Sequence, residues 1–137
     1  MNVAEVKLIL NSCWNLEMKL KSERMTLERL RVAASKSTPS YSLVSGGGGI
    51  GQKVENCVLD IVELEAKSKA TIRRYIEAKA QTLDLIGLLP DEKLRRLLEQ
   101  RYIHYAKWEA IAIELKISYR RVHQLHSKAL NLLANHT

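Results

Sequence analysis

The sequence predicts an all-α protein. A long antiparallel, coiled-coil-like helical hairpin fills residues 1–87, and a three-helix unit with a helix-turn-helix fills 88–137. Three observations carry this. Apolar side chains alternate three and four apart along two long stretches, with a Ser/Gly-rich segment between them. Residues 108–127, WEAIAIELKISYRRVHQLHS, join a short apolar pattern to a basic one across a turn. No β-strand pattern competes with either signal.

The first helix is expected over roughly residues 2 to 34. Val6, Ile9, Cys13, Leu16, Leu20, Leu27, Leu30 and Ala34 form its seam, with Glu23 as the one polar break. Flanking positions such as Lys19, Lys21, Arg24, Glu28, Arg29 and Arg31 are charged, so the apolar stripe is narrow and must be buried against another helix. Residues 35–51, SKSTPSYSLVSGGGGIG, hold Pro39 and five of the six glycines and are expected to be a loop at the hairpin tip. The four consecutive glycines lack the Lys-Ser or Lys-Thr of a phosphate-binding loop and no strand precedes them, which argues against nucleotide binding.

A second long helix is expected over roughly 52 to 87. Its seam is Val54, Cys57, Ile61, Leu64, Ser68, Thr71, Tyr75, Ala78, Thr82 and Leu85, widened by Ile72, Ile76, Leu83 and Ile86. Ser68 and Thr71 weaken its middle. A two-helix hairpin buries little by itself, so self-association or a partner is expected, as a homodimer or higher oligomer. Gly87 and Pro90 end this helix, and Asp91 and Glu92 start the next, roughly 91 to 104, with Leu94, Leu97, Leu98, Tyr102 and Ile103 facing inward. His104 to Lys107 form a connector, and helices over 108–115 and 118–134 complete the unit.

In the last pair of helices Ile111, Leu115, Ile117, Val122 and Leu125 face inward, and Ala112 sits where crossing helices approach closely. Ser118 is placed to cap the final helix. Lys116 occupies a turn position where φ is often positive, at a cost of roughly 1 kcal/mol. The outer side carries Tyr119, Arg120, Arg121, His123 and Gln124. Such a helix fits the major groove of double-stranded DNA, where Arg can pair with guanine and Gln with adenine through two hydrogen bonds each. Lys107, Lys116 and Lys128 are candidates for phosphate contacts.

Composition agrees with such a partner. The net charge is +7, from 22 Lys and Arg against 15 Asp and Glu. Residues 88–137 hold nine Lys and Arg against five acids, and all four histidines. His123 and His126 stand three apart but no Cys or carboxylate joins them at ligand spacing, so neither a metal nor any other cofactor is expected. No nucleophile–base grouping or paired acids point to catalysis, and no enzyme activity is expected. Cys13 and Cys57 read as buried free thiols in a reducing cytoplasm, with an interhelical disulfide as the alternative. No apolar run approaches the length needed to span a membrane and no signal-peptide pattern opens the chain, so a cytoplasmic protein is expected.

The stretches LRRLLEQRYI at 94–103, WEAIAIELKIS at 108–118 and RRVHQLHSKAL at 120–130 resemble region 4 of bacterial sigma factors, which reads the promoter −35 element. From Ser40 to Leu130 the chain further resembles small sigma-like regulators encoded by phages and prophages of Gram-positive bacteria, of the type of the RinA and ArpU late-gene activators. The resemblance implies base contacts by Tyr119, Arg120 and Gln124, and backbone contacts by Arg121 and His123. It implies a transcriptional activator that works with host RNA polymerase. Primary sigma factors usually carry Arg-Glu where this chain has Tyr119-Arg120, which implies a different preferred sequence. The chain has no aromatic-rich promoter-melting segment, so it would act with another sigma factor or through DNA binding alone. Two other functions fit the same residues: a DNA-packaging protein like a small terminase subunit, and an interaction module that binds polymerase without DNA.

Overall fold

The computed structural model describes residues 1–41 and 48–136, with side-chain environments for 1–36 and 54–136. Five α-helices make up the described residues, and no strand occurs among them. They are α1 (Val3–Tyr41), α2 (Gly48–Gly87), α3 (Glu92–Tyr102), α4 (Trp108–Leu115) and α5 (Tyr119–His136). None is long and apolar enough to cross a membrane.

Both long helices run further than their apolar seams predict. The loop expected over 35–51 is replaced by helix at 35–41 and 48–51, and its remainder, 42–47, lies outside the described residues. Once a helix is nucleated each added residue costs little, so helix can continue past a change in composition. At its start, α1 is fixed by a reciprocal cap: the Glu5 N–H donates to Asn2 Oδ1 at 2.8 Å, and the Asn2 N–H to Glu5 Oε2 at 3.3 Å.

The chain divides into two compact units, Met1–Leu16 with Arg74–Thr137, and Glu17–Arg73. The boundary expected at 87/88 differs from this division. Val6 and Leu10 of α1 and Leu85 and Ile86 of α2 are buried in the same core as the helices that follow them.

Among the described residues of the unit Glu17–Arg73, Leu20 and Leu27 are the buried apolar side chains. Between them lies a polar layer. The Ser68 hydroxyl donates to Glu23 Oε2 at 3.1 Å and the Thr71 hydroxyl to Glu23 Oε1 at 2.8 Å. The polar break in one seam thus meets the weak middle of the other, and the buried carboxylate keeps hydrogen-bond partners. Arg31 pairs with Glu65 at 3.0 Å on the surface. Ile72 is exposed, as are Ile76 and Leu83 in the other unit, so these three do not widen the buried stripe as expected; Ile86 does.

In the unit Met1–Leu16 with Arg74–Thr137, α3, α4 and α5 pack pairwise on one another. Leu94, Leu97 and Leu98 of α3, Ile111 of α4, and Val122, Leu125, Ala129, Leu130 and Leu133 of α5 form the centre. Cys13 is buried beside the Thr82 hydroxyl (3.6 Å), which also donates to the Ala78 carbonyl. Both cysteines are free thiols; Cys57, expected to be buried, is only half-buried. Gly87 is the last residue of α2, but its φ stays outside the left-handed region expected of a C-terminal glycine. The chain leaves α2 through two short turns instead, with Leu88 N–H to the Leu85 carbonyl and Leu89 N–H to the Ile86 carbonyl.

Candidate nucleic-acid interface

The turn between α4 and α5 sets the geometry. Lys116 adopts φ 57°, ψ 45°, the left-handed region. The Ile117 N–H reaches back to the Ala112 carbonyl (3.0 Å) and the Lys116 N–H to the Ile113 carbonyl (3.2 Å). This pair of bonds is the Schellman ending of a helix, usually made by glycine. Here a lysine adopts it, with strain of about 1 kcal/mol. Ile117 then turns inward, half-buried against the core.

Ser118 caps α5: its hydroxyl accepts the Arg121 N–H at 3.0 Å. The cap spends the Ser118 side chain and leaves the first backbone N–H groups of the helix, those of Tyr119 and Arg120, without intrahelical partners. Such groups suit a phosphate oxygen. The inner side of α5 is fixed by Val122 and Leu125, and Ala112 of α4 is buried at the close approach.

The outer side remains open within its unit. Tyr119, Arg120, Arg121, Gln124 and Lys128 are exposed, as are Ser118, Lys116 and Lys107. The helix carries three Arg and Lys and no Asp or Glu. Tyr119, Arg120, His123, Gln124 and Ser127 line one shallow, open depression along it. Arg121 Nη1 donates to Gln124 Oε1 at 3.3 Å, a contact that spacing alone did not suggest. It orients the amide, whose NH2 group still faces outward to donate. Full recognition of adenine also uses the amide oxygen, so the Arg121 bond must be shared or released on docking.

His123 differs from its neighbours. It is half-buried, with its ring 4.9 Å from Trp108 and 4.6 Å from Tyr119. Packing therefore takes up much of the side chain to which the resemblance assigned a backbone contact. The aromatic cluster extends further. His126 lies 4.7 Å from Trp108, and the Arg101 guanidinium sits 4.4 Å over the Trp108 ring. The Tyr102 hydroxyl and His126 Nε2 are 2.7 Å apart. Burial pushes His126 down to about 4, helped by the nearby Lys7, His123 and Arg101 charges. Burial also raises Tyr102. The two directions agree: a phenol held protonated donates to a neutral imidazole. The sequence pattern gives Trp108 no role and weighs His126 only as a metal ligand, because their meeting depends on how α3, α4 and α5 cross. The connector before α4 also holds Tyr105 at φ 56°, an uncommon conformation for a bulky residue with no local sequence signal.

Comparison with family models, curated proteins and solved structures finds no match for this chain. Among the described residues, no group of three or more His, Cys, Asp or Glu side chains is placed to hold a metal ion.

Proposed function

We propose that this protein is a sequence-specific DNA-binding transcriptional regulator of phage or prophage genes, a late-gene activator acting with host RNA polymerase in the bacterial cytoplasm. The observation that carries the reading is the outer side of α5. It is basic, free of carboxylates and exposed within its unit, on a helix that a strained turn and a serine cap hold against α4. In this reading α3 to α5 form a sigma region 4-like unit and α5 enters the major groove. Arg120, Tyr119 and Gln124 meet base edges there. Arg121, His123, Lys107, Lys116, Lys128 and the start of α5 hold phosphates.

We read α1 and α2 as an antiparallel hairpin that supplies self-association or polymerase contacts. Pairing of Arg31 with Glu65 and of Glu23 with Ser68 and Thr71 supports opposed directions in one unit. The Tyr119-Arg120 pair points to an operator unlike the host −35 element.

Sequencing the genomic fragments retained by the full chain tests the proposal. Enrichment of one short motif upstream of phage genes is expected, with affinity falling steeply as salt rises. Absence of any retained duplex at modest ionic strength would overturn DNA binding and leave a polymerase-binding module. A ring of many subunits bound at a packaging site would replace regulation with DNA packaging.

A further inference from the structure

The unit Glu17–Arg73 leaves an apolar stripe uncovered. Val58, Val62 and Ile72 of α2 are 48%, 60% and 41% exposed, whereas Leu20 and Leu27 are the buried apolar side chains among the unit's described residues. With Glu65 and Lys69 they recur four and three apart, the spacing of a coiled-coil seam. This stripe lies on the flank of α2, about 100° around the helix from the face that holds Ser68 and Thr71. A helix pair that buries so little needs further cover, and an exposed apolar stripe marks where it is supplied.

We propose that the cover is a second copy of this chain, docked through α2 against α2 in antiparallel orientation about a two-fold axis that crosses the stripe at the level of Lys67, between Glu65 and Lys69. The order of the residues carries the orientation. Val62 lies five residues before Lys67 and Ile72 five after it; Glu65 lies two before and Lys69 two after. With the helices antiparallel, Val62 meets the partner's Ile72 and Glu65 meets the partner's Lys69, and symmetry repeats both pairs. With the helices parallel, Glu65 would face the partner's Glu65 and Lys69 the partner's Lys69, which charge repulsion disfavours. Glu65 already uses Oε1 for Arg31 of its own copy, at 3.0 Å, and keeps Oε2 for the partner's lysine. The apolar layers supply affinity and the charged layers fix the register.

This inference specifies the self-association named above and does not depend on α5 reaching DNA. The test is sedimentation and light scattering of the full chain over a wide concentration series, with circular dichroism to follow helix content. The wild type is expected to be a dimer, and Ile72→Asp a helical monomer. Lys69→Glu places glutamates opposite one another and should weaken the dimer by about tenfold or more. Combining Glu65→Lys with Lys69→Glu should restore it, because the Arg31 pair it sacrifices is an exposed one. A wild type that is monomeric throughout, an assembly larger than a dimer, Lys69→Glu associating like wild type, or a double variant that fails to recover would each overturn the proposal. A monomer that still retains duplex DNA removes this inference and leaves the role of α5 standing; a dimer that retains none does the reverse.

Discussion

Glu23 offers a direct measure of how a buried polar layer trades against packing. The residue is 9% exposed, and its carboxylate accepts bonds from the Ser68 hydroxyl at 3.1 Å and the Thr71 hydroxyl at 2.8 Å. A hydrogen bond to a charged group is worth about 1.5–3 kcal/mol. Thr71→Val keeps the side-chain shape, so its cost should be that of the bond, about 2 kcal/mol. Ser68→Ala, with the longer bond, should cost about 1.5 kcal/mol. Removing both donors leaves the carboxylate buried without them and should cost about 3–5 kcal/mol. Replacing the whole layer with apolar side chains, Glu23→Leu with Ser68→Ala and Thr71→Val, should return stability to within about 1 kcal/mol of wild type or exceed it. Urea unfolding at fixed protein concentration, followed by far-ultraviolet circular dichroism, measures all four variants. The reasoning is refuted if both single changes cost under about 0.5 kcal/mol, or if the triple variant is no more stable than the variant lacking both donors.

Three further outcomes are expected. Lys116→Gly should stabilise the fold by up to about 1 kcal/mol by relieving the positive φ, while lowering the salt slope of DNA binding by about 1; thermal melts and binding titrations read the two effects separately. Gln124→Ala should cost about 1–3 kcal/mol on the preferred operator and relax one base position, whereas Arg121→Ala should weaken all sequences alike, as a binding-site selection series would reveal. His126 is held neutral in the fold, down to about 4 against an ordinary 6.5, so the unfolded chain takes up its proton first as pH falls. Its contribution is therefore complete above about pH 6.5 and is lost progressively toward pH 4. Allowing for solvent screening, the loss is on the order of 1–2 kcal/mol, and His126→Gln should flatten it in acid titrations of stability.

Features set by local periodicity were legible in the sequence. Both long helices, the inward faces of α3, α4 and α5, the Ser118 cap and the positive φ at Lys116 all follow from spacing or from the needs of a turn. What escaped depends on contacts between residues far apart in the chain. Glu23 stood out as a polar break and Ser68 and Thr71 as weak points, but only the pairing of helices makes them one layer. Val6, Leu85 and Ile86 looked like hairpin residues and join the core of the following helices, as does Leu10, which the expected seam passed over in favour of Ile9. Ile72 looked like seam and is exposed, because the apolar pattern of α2 is broader than the face that α1 covers in that unit. At the candidate interface the exposed residues of α5 were legible from their polar pattern. The Arg121–Gln124 bond and the burial of His123 were not, since each depends on side-chain placement.

Trp108 is one of two tryptophans in the chain and packs against the Arg101 guanidinium and the rings of His123 and His126. Rolling α5 about its own axis would pull both imidazoles off the indole. The azimuth at which Arg120 and Gln124 project is thereby locked to the body of the unit before any ligand arrives. With Trp14 replaced by Phe, the same arrangement leaves Trp108 as an internal fluorophore whose emission would register a twist of that helix without an added dye.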